Sequence, residues 1–322
     1  MANRLLPGRR QAVERLPYEA NEWLMQAMRR ELSRRPAVTA VHAYEDCALG
    51  SFEEAKRLGK LCIYDLPIGY YSDWQEIQSM LLRQYADWLP PHAKTISPYV
   101  RAEQKIAEMK LADLVLAPSS FVERTILKYM DKQVRLAPYG VDLEQWHPAE
   151  EQQRREAAPL RFLFAGHISI RKGLPLLFEA WRRAELRDAQ LELVGSWHLS
   201  ERCRADLPAN ISYLGHRSPA GLRQAYQQSD VFVFPSYFEG CALVVLEALA
   251  CGLPVLASDA SGAADYLDAG CGRVFPAGNL ETLIEQLREF AKRRDEIPAM
   301  KRAARLKAEQ MTWKNYRSRV AA

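Results

Sequence analysis

From residue 160 onward, short apolar runs alternate with longer stretches whose apolar positions recur every three or four residues. Residues 160–165, 191–194, 211–214, 231–234 and 254–257 are short, mainly apolar runs that read as buried strands. Between them the helical period predicts one helix over 174–183 and another opening at Ser218-Pro219, a capping residue followed by proline at the first helical position. A third covers 242–251 and stops at Gly252, and a fourth starts at Asn279 and runs through LETLIEQLREF. Strands alternating with helices imply an α/β fold with a parallel sheet and helices on both faces. The first half is less regular, with strand candidates at 38–44, 61–66, 114–117 and 134–137. Its helix candidates cover 19–35, 52–59, 76–85, 101–109 and 121–130. Pro138-Tyr139-Gly140-Val141-Asp142 and the polar stretch 150–155 read as a turn and a linker, which puts a domain boundary within 143–158.

The 322 residues are 48% apolar and 26% charged, enough for two packed domains. The net charge of +4 is mild and does not point to nucleic acid. It is uneven, however: Arg4, Arg9, Arg10, Arg15, Arg29, Arg30, Arg34 and Arg35 face only Glu14, Glu19, Glu22 and Glu31. Such a basic end is either the solvated face of a helix or a contact for an anionic membrane surface. Leu24, Met28 and Leu32 form a stripe that packs on a core or seats the helix on lipid. The six cysteines are scattered, without C-x-x-C pairs or zinc-ligand spacing, as in a reduced cytoplasmic protein. The first residues lack the apolar core of a signal peptide, and no apolar run nears the ~20 residues that span a bilayer. The expected location is the cytoplasm, with peripheral contact to the inner face of the membrane through the basic end.

A doubly wound sheet binds ligands beyond the carboxyl ends of its strands. Gly166-His167-Ile168-Ser169-Ile170-Arg171-Lys172-Gly173 follows the first strand of the second half, and Pro235-Ser236-Tyr237-Phe238-Glu239-Gly240 follows the fourth. Two strand ends thus deliver a basic pair and an acid to one crevice. Glu247 lies in Ala242-Leu243-Val244-Val245-Leu246-Glu247-Ala248-Leu249-Ala250-Cys251, a segment apolar around its whole circumference and hence a buried helix. A carboxylate there either caps a neighbouring loop or waits for ligand hydroxyls. Glu239 alone would read as a surface-turn acid, but it ends a strand eight positions before Glu247.

The nine residues from Glu239 to Glu247 fit an E-x7-E signature and resemble the retaining GT-B glycosyltransferases of family 4. The resemblance extends in order through Pro138-Tyr139-Gly140-Val141-Asp142, Gly166 with Arg171-Lys172-Gly173, Leu193-Val194-Gly195, Asp230 to Ser236, Ala250-Cys251-Gly252-Leu253-Pro254-Val255, Ser258-Asp259 and Thr312-Trp313. It implies two Rossmann-like domains whose parallel sheets face a cleft. Residues 1–148 would form an acceptor-side domain, shortened because the chain starts midway through it, at a helix rather than at a strand and Gly-rich loop. Residues 149–302 would bind the donor, and 303–322 would be a helix crossing back to the first domain. The donor would be a UDP- or GDP-sugar, the acceptor a saccharide or lipid-linked glycoconjugate of the cell envelope, and a hexose would move with retention of configuration. Arg171 and Lys172 would stabilise the diphosphate charge, joined by the backbone N–H groups of Gly240, Cys241, Ala242 and Leu243 at a helix start. Glu247 would bind ribose hydroxyls and Glu239 those of the transferred sugar. Trp197 and Arg217 would approach the base, unless they serve packing or the surface.

The chain contains no D-x-D triplet, so neither metal nor cofactor is expected. It also contains no G-x-G-x-x-G and no Walker A sequence, against dinucleotide oxidoreductases and P-loop NTPases. His167 stands where many family members have Arg beside Gly166, and Asp65 where many have a His near the reacting centre. Asp65 therefore has a site role or caps a loop, and His42 reads as a core histidine. Two rivals accompany the enzyme: a non-catalytic donor-domain protein acting as partner or regulator, and a sugar-nucleotide epimerase.

Overall fold

The computed structural model describes residues 7–93, 101–150 and 158–321, with the backbone alone for residues 7–19 and His92. Arg4, the side chains of Arg9, Arg10, Glu14, Arg15 and Glu19, and positions 151–155 of the polar linker lie outside the described residues. The chain runs α1 (Pro7–Arg34), β1 (Ala40–Tyr44), α2 (Leu49–Arg57), β2 (Leu61–Asp65), α3 (Tyr71–Gln84), α4 (Ala102–Leu111), β3 (Leu114–Ala117), α5 (Ser120–Leu127) and β4 (Val134–Leu136). It continues with β5 (Leu160–Ala165), α6 (Leu174–Ala184), β6 (Ala189–Val194), α7 (Glu201–Ala205), β7 (Ile211–Gly215), α8 (Pro219–Gln228) and β8 (Val231–Phe234). After these come α9 (Leu243–Ala250), β9 (Val255–Ser258), β10 (Gly272–Phe275), α10 (Leu280–Lys292), α11 (Ile297–Glu309) and α12 (Trp313–Ala321). Two compact units result, one of Met1–Pro67, Pro98–Ala117 and Tyr129–Arg135, the other of Ile68–Ser97, Pro118–Lys128 and Leu136–Ala322.

The first unit is built on a sheet of order β1-β2-β3-β4, with β1, β2 and β3 parallel. Strand alternation sends Val41, Cys62, Tyr64 and Val115 to the covered face, while Tyr44 and Leu61 stand exposed on the other. A buried charge network closes the end of β1. Glu108 takes the N–H groups of Ala48 and Leu49, at the start of α2, and the Tyr64 hydroxyl, all within 3.0–3.1 Å. Lys105, 1% exposed, pairs with Glu45 at 2.7 Å and Asp46 at 3.0 Å, the pairing that makes a buried ammonium tolerable. On α1 the inward face is Met25 and Leu32, while Leu24 and Met28 are exposed together with Trp23. The expected stripe of Leu24, Met28 and Leu32 is therefore not the packing face. The cause is Gly50 of α2, which lets the helices approach so closely that a Cβ there would lie 3.2 Å from the Met25 Cβ.

The second unit carries a six-stranded parallel sheet of order β10-β9-β8-β5-β6-β7. Counted from β5 this is the doubly wound order 3-2-1-4-5-6, whose strand sequence reverses between β5 and β8. The apolar runs end in the sheet as expected, and β8 and β9 are buried at every position. Helix starts follow their capping residues: the Ser218 hydroxyl accepts from the Gly221 N–H at 3.3 Å, and the Asn279 carbonyl oxygen from the Thr282 N–H at 3.0 Å. Gly252 ends α9 in the left-handed conformation (φ +75°). Strand β10 and the short helix α7 have no counterpart among the expected elements, and the single helix expected over 303–322 is two, because the chain turns at 310–312 between α11 and α12. At the sheet edge, β10 has only two of its four residues buried. Tyr139 packs against Trp313 and Tyr316 of α12, and the Val141 N–H donates to the Met311 carbonyl at 2.9 Å.

Candidate functional site

The ends of β5 and β6 meet because two glycines let them. Gly166 (φ +140°) and Gly195 (φ +138°) touch so closely that a Cβ on Gly195 would lie 1.8 Å from the Gly166 carbonyl oxygen. The loop continues to Gly173 (φ +74°), which precedes α6 and would drive a Cβ to 2.0 Å from the Pro235 carbonyl oxygen. This contact lays the loop after β5 against the end of β8. The Tyr237 N–H donates to the Arg171 carbonyl at 2.9 Å, and the Ser236 Oγ lies 3.3 Å from the same carbonyl.

Three donors then converge on one carboxylate oxygen. Glu239 Oε1 accepts from the Arg171 guanidinium at 2.8 Å and the Ser236 hydroxyl at 3.0 Å, and it pairs with the Lys172 ammonium. Arg171 also donates to the Phe238 carbonyl at 2.7 Å, and the Glu239 N–H donates to the Ala260 carbonyl at 3.0 Å. Lys172 sits 5.0 Å from the Phe234 ring centroid. Burial pushes its pKa down and Arg171 adds to that, while Glu239 opposes both. The exposed His167 ring lies 4.8 Å from that of His198. Its pKa falls through partial burial, then His198, Lys172 and Arg171, so the imidazole is neutral near pH 7.

Helix α9 starts beside this cluster without a side-chain cap, and Leu243 at its first turn is 42% exposed. Glu247, one turn on, is only half-buried, with Tyr226 donating its hydroxyl to Oε2 at 3.2 Å. The expectation of a helix buried on all sides is thus corrected. Leu243, Val244 and Glu247 form an open face on an otherwise covered segment, a face that an all-apolar neighbourhood conceals in the sequence. Burial raises the Glu247 pKa, partly offset by the Tyr226 hydrogen bond. Buried Cys241 has its thiol pushed up to about 12, which keeps it protonated and unreactive.

Arg171, Lys172 and Glu239 are in direct contact, with Gly166 and His167 at the start of the same loop. Gly240, Cys241 and Ala242 lead into α9. Trp197 is half-buried at the end of β6, where its N–H donates to the Ser200 carbonyl at 3.3 Å and its ring packs on Tyr213. Arg217 is exposed just before α8. Asp65 belongs to the other unit, where its buried carboxylate meets His42 Nε2 at 3.1 Å. That histidine is not a core residue: its side chain is 37% exposed, because residue 42 points to the open sheet face. Sequence reasoning missed Ser236, Tyr226 and His198. Ser236 could have been found three positions before Glu239 at the strand end, whereas Tyr226 carries no signal beyond helical periodicity.

A doubly wound six-stranded parallel sheet and a second sheet with three parallel strands make a GT-B fold. The chain superposes on sucrose-phosphate synthase from Thermosynechococcus elongatus with a TM-score of 0.66 at 20% identity, over 94% of this chain and 77% of that one. With Anabaena HepE in complex with UDP the TM-score is 0.68 at 17% identity, over 91% and 80%. Through residues 148–307, which match the family model for glycosyl transferases group 1, the chain belongs to that family. It is 30% identical to the sulfoquinovosyl transferase of Arabidopsis thaliana over 222 residues, 64% of this chain and 43% of that protein. Another relative is the GDP-mannose-dependent alpha-mannosyltransferase of Mycobacterium tuberculosis, 30% identical over 53% of this chain and 46% of that protein. The chain thus spans less than half the length of these curated relatives. Among the described residues no helix is long and apolar enough to cross a membrane.

Proposed function

We propose that the protein transfers a hexose from a UDP- or GDP-sugar to a saccharide or lipid-linked acceptor, with retention of configuration and without a metal ion. The observation that carries this reading is the Glu239 carboxylate, held by Arg171, Lys172 and Ser236 where the strand order reverses. In the proposed complex Arg171 and Lys172 turn to the diphosphate, whose charge grows as the glycosidic bond breaks. The start of α9 has no side-chain cap and adds oriented N–H groups from the segment Gly240 to Leu243, in which the Ala242 N–H also donates to the Ser261 carbonyl at 3.3 Å. Glu247 receives ribose hydroxyls, Glu239 the hydroxyls of the transferred sugar, and Gly166 and His167 border the phosphates. Trp197 and Arg217 flank the base. The acceptor attacks the face that the nucleotide leaves, and the departing phosphate takes its proton. Such a scheme needs positioning and charge stabilisation rather than a protein nucleophile. Asp65, at the end of β2, is assigned to the acceptor side with residues 1–148, against a donor domain at 149–302 and a crossing segment at 303–322 that holds the end of α11 and all of α12.

A thermal-shift titration with UDP, GDP and their sugar conjugates in metal-free buffer tests the donor site. Binding at a hundred times the dissociation constant raises stability by about 2.7 kcal/mol. A shift that disappears in Glu247→Ala and Lys172→Ala supports the reading and selects the base. No shift with any nucleotide favours a non-catalytic partner, and an inverted product anomer rejects the mechanism. Peripheral membrane contact is proposed from the exposed Trp23, Leu24 and Met28 beside Arg29 and Arg30. Failure to float with phosphatidylglycerol vesicles in low salt would reject it.

A further inference from the structure

The second unit contains a cavity of about 470 Å³ between α3, α5 and the loops that follow β8, β9 and β10. We propose that this cavity seats a neutral saccharide, the acceptor's sugar, an inference that rests on the glycosyl-transfer reading above. Its size falls within the roughly 300–1,000 Å³ of small-ligand sites. One wall is apolar, from Ile77 and Met80 of α3 and Phe121 of α5. Phe121 is fixed edge-on to Phe238, with centroids 5.6 Å apart, and offers a rigid surface for the C–H faces of a sugar ring.

The polar wall decides the ligand class. Lys128 is held between Asp73 and Glu76, each at 2.7 Å. Asp259 Oδ1 takes the Ala277 N–H at 2.9 Å, and Arg124 donates to the Ser120 hydroxyl at 3.2 Å. Two cations, Arg124 and Lys128, and two carboxylates, Asp73 and Asp259, therefore share the lining of the cavity. A phosphate would meet Asp73 and Asp259 along with the bases, and an apolar ligand would strip water from four charged groups without return. A sugar hydroxyl both donates and accepts, so a polyol satisfies carboxylates and cations together.

The cavity also adjoins the segment that carries Glu239. Tyr237 lines it two residues earlier, and Ala260, another lining residue, receives the Glu239 N–H through its carbonyl. Gly278 (φ +81°) completes the wall, and a Cβ there would press to 3.0 Å from the Tyr237 ring. The occupant thus lies against the backbone from which the proposed sugar-binding carboxylate projects.

The test measures saturation-transfer NMR on the full chain with methyl glucoside, methyl galactoside, methyl mannoside, maltose and cellobiose, alongside calorimetric titration of UDP. Met80→Trp fills the cavity from a partly exposed position, and Asp259→Asn removes one carboxylate charge as an independent variant. The expected result is saturation of at least one saccharide, reduced fivefold or more in each variant that melts like the wild type, with the UDP dissociation constant unchanged within twofold. No saccharide signal in the wild type, equal signals in the variants, or displacement of the saccharide by inorganic phosphate would overturn the proposal. Saccharide binding that depends on Met80 without any UDP binding would sink the donor reading and leave the cavity as a saccharide site. UDP binding without saccharide binding would do the reverse.

Discussion

Gly173 and Gly215 have nearly the same backbone, φ +74° and +73°, and opposite surroundings. At Gly173 a Cβ would lie 2.0 Å from the Pro235 carbonyl oxygen and 2.9 Å from its carbon, whereas at Gly215 it would meet nothing within 4 Å. Substituting Ala at either site costs roughly 1–2 kcal/mol for holding an L-residue in the left-handed region. Only Gly173→Ala adds a clash with backbone, which cannot rotate away as a side chain can. Forcing atoms into packed structure costs about 1–3 kcal/mol more. The expected losses are therefore about 1–2 kcal/mol for Gly215→Ala and about 2–5 for Gly173→Ala, read by urea unfolding of both variants against the wild type. Function should separate them further. Relief of the clash must move the loop after β5 from β8, and with it the Arg171 carbonyl that accepts from the Tyr237 N–H. UDP affinity should fall at least tenfold in Gly173→Ala and less than twofold in Gly215→Ala. Equal stability losses, or undiminished UDP binding by Gly173→Ala, would refute the claim that this contact positions the basic pair.

Glu247, whose folded pKa lies above its ordinary value of 4.5, holds its proton to higher pH in the folded state. Its contribution to stability is fully present below the unfolded pKa and is lost as pH rises through the folded value. Thermal melts between pH 4 and 7 should accordingly show a limb that Glu247→Gln flattens, and an unchanged limb would contradict it. Tyr226→Phe removes the hydroxyl that donates to Glu247 at 3.2 Å and lies 3.1 Å from the Val244 carbonyl. A loss of about 1–2 kcal/mol is expected in chemical denaturation, together with weaker UDP binding from a carboxylate no longer oriented.

Much of the second unit was legible because its signals are local and agree with one another. Continuous apolar runs such as residues 231–234 became buried strands, and Ser218-Pro219 and Asn279 mark helix starts that the structure retains. The contact of Arg171 and Lys172 with Glu239 was approached from two strand ends, since a doubly wound sheet delivers them to one edge. What stayed hidden depends on long-range packing. Half-polar β10 resembles a loop until β9 pairs with it. The open face of α9 at Leu243 and Glu247 reflects which neighbours leave the helix uncovered, and helical periodicity contains no such information. His42 was misjudged for the same reason: its residue type suggests a core position, while the register with Ile63 puts it on an open sheet face.

The Glu239 cluster yields one prediction whose sign separates it from simple loss of a binding residue. Two cations and a hydroxyl share one carboxylate oxygen, with the Glu239 and Lys172 side chains only 12% and 13% exposed. Glu239→Gln keeps the shape but leaves Arg171 and Lys172 facing each other without a counter-charge. Breaking a fully buried pair costs about 3–5 kcal/mol. With the Arg171 side chain 28% exposed, solvent screens part of that, and about 1–3 kcal/mol is expected. A diphosphate that replaces the carboxylate between these cations would restore the charge balance. The variant should therefore melt below the wild type without nucleotide, yet bind UDP several-fold more tightly, and it should lose turnover because the transferred sugar has lost its acceptor carboxylate. High salt should narrow the difference in affinity, since the unpaired cations then attract small anions. Calorimetry at low and high salt measures both trends. Weaker UDP binding in Glu239→Gln would mean that the carboxylate organises the cations for the nucleotide rather than competing for them, and the charge-exchange account would fall.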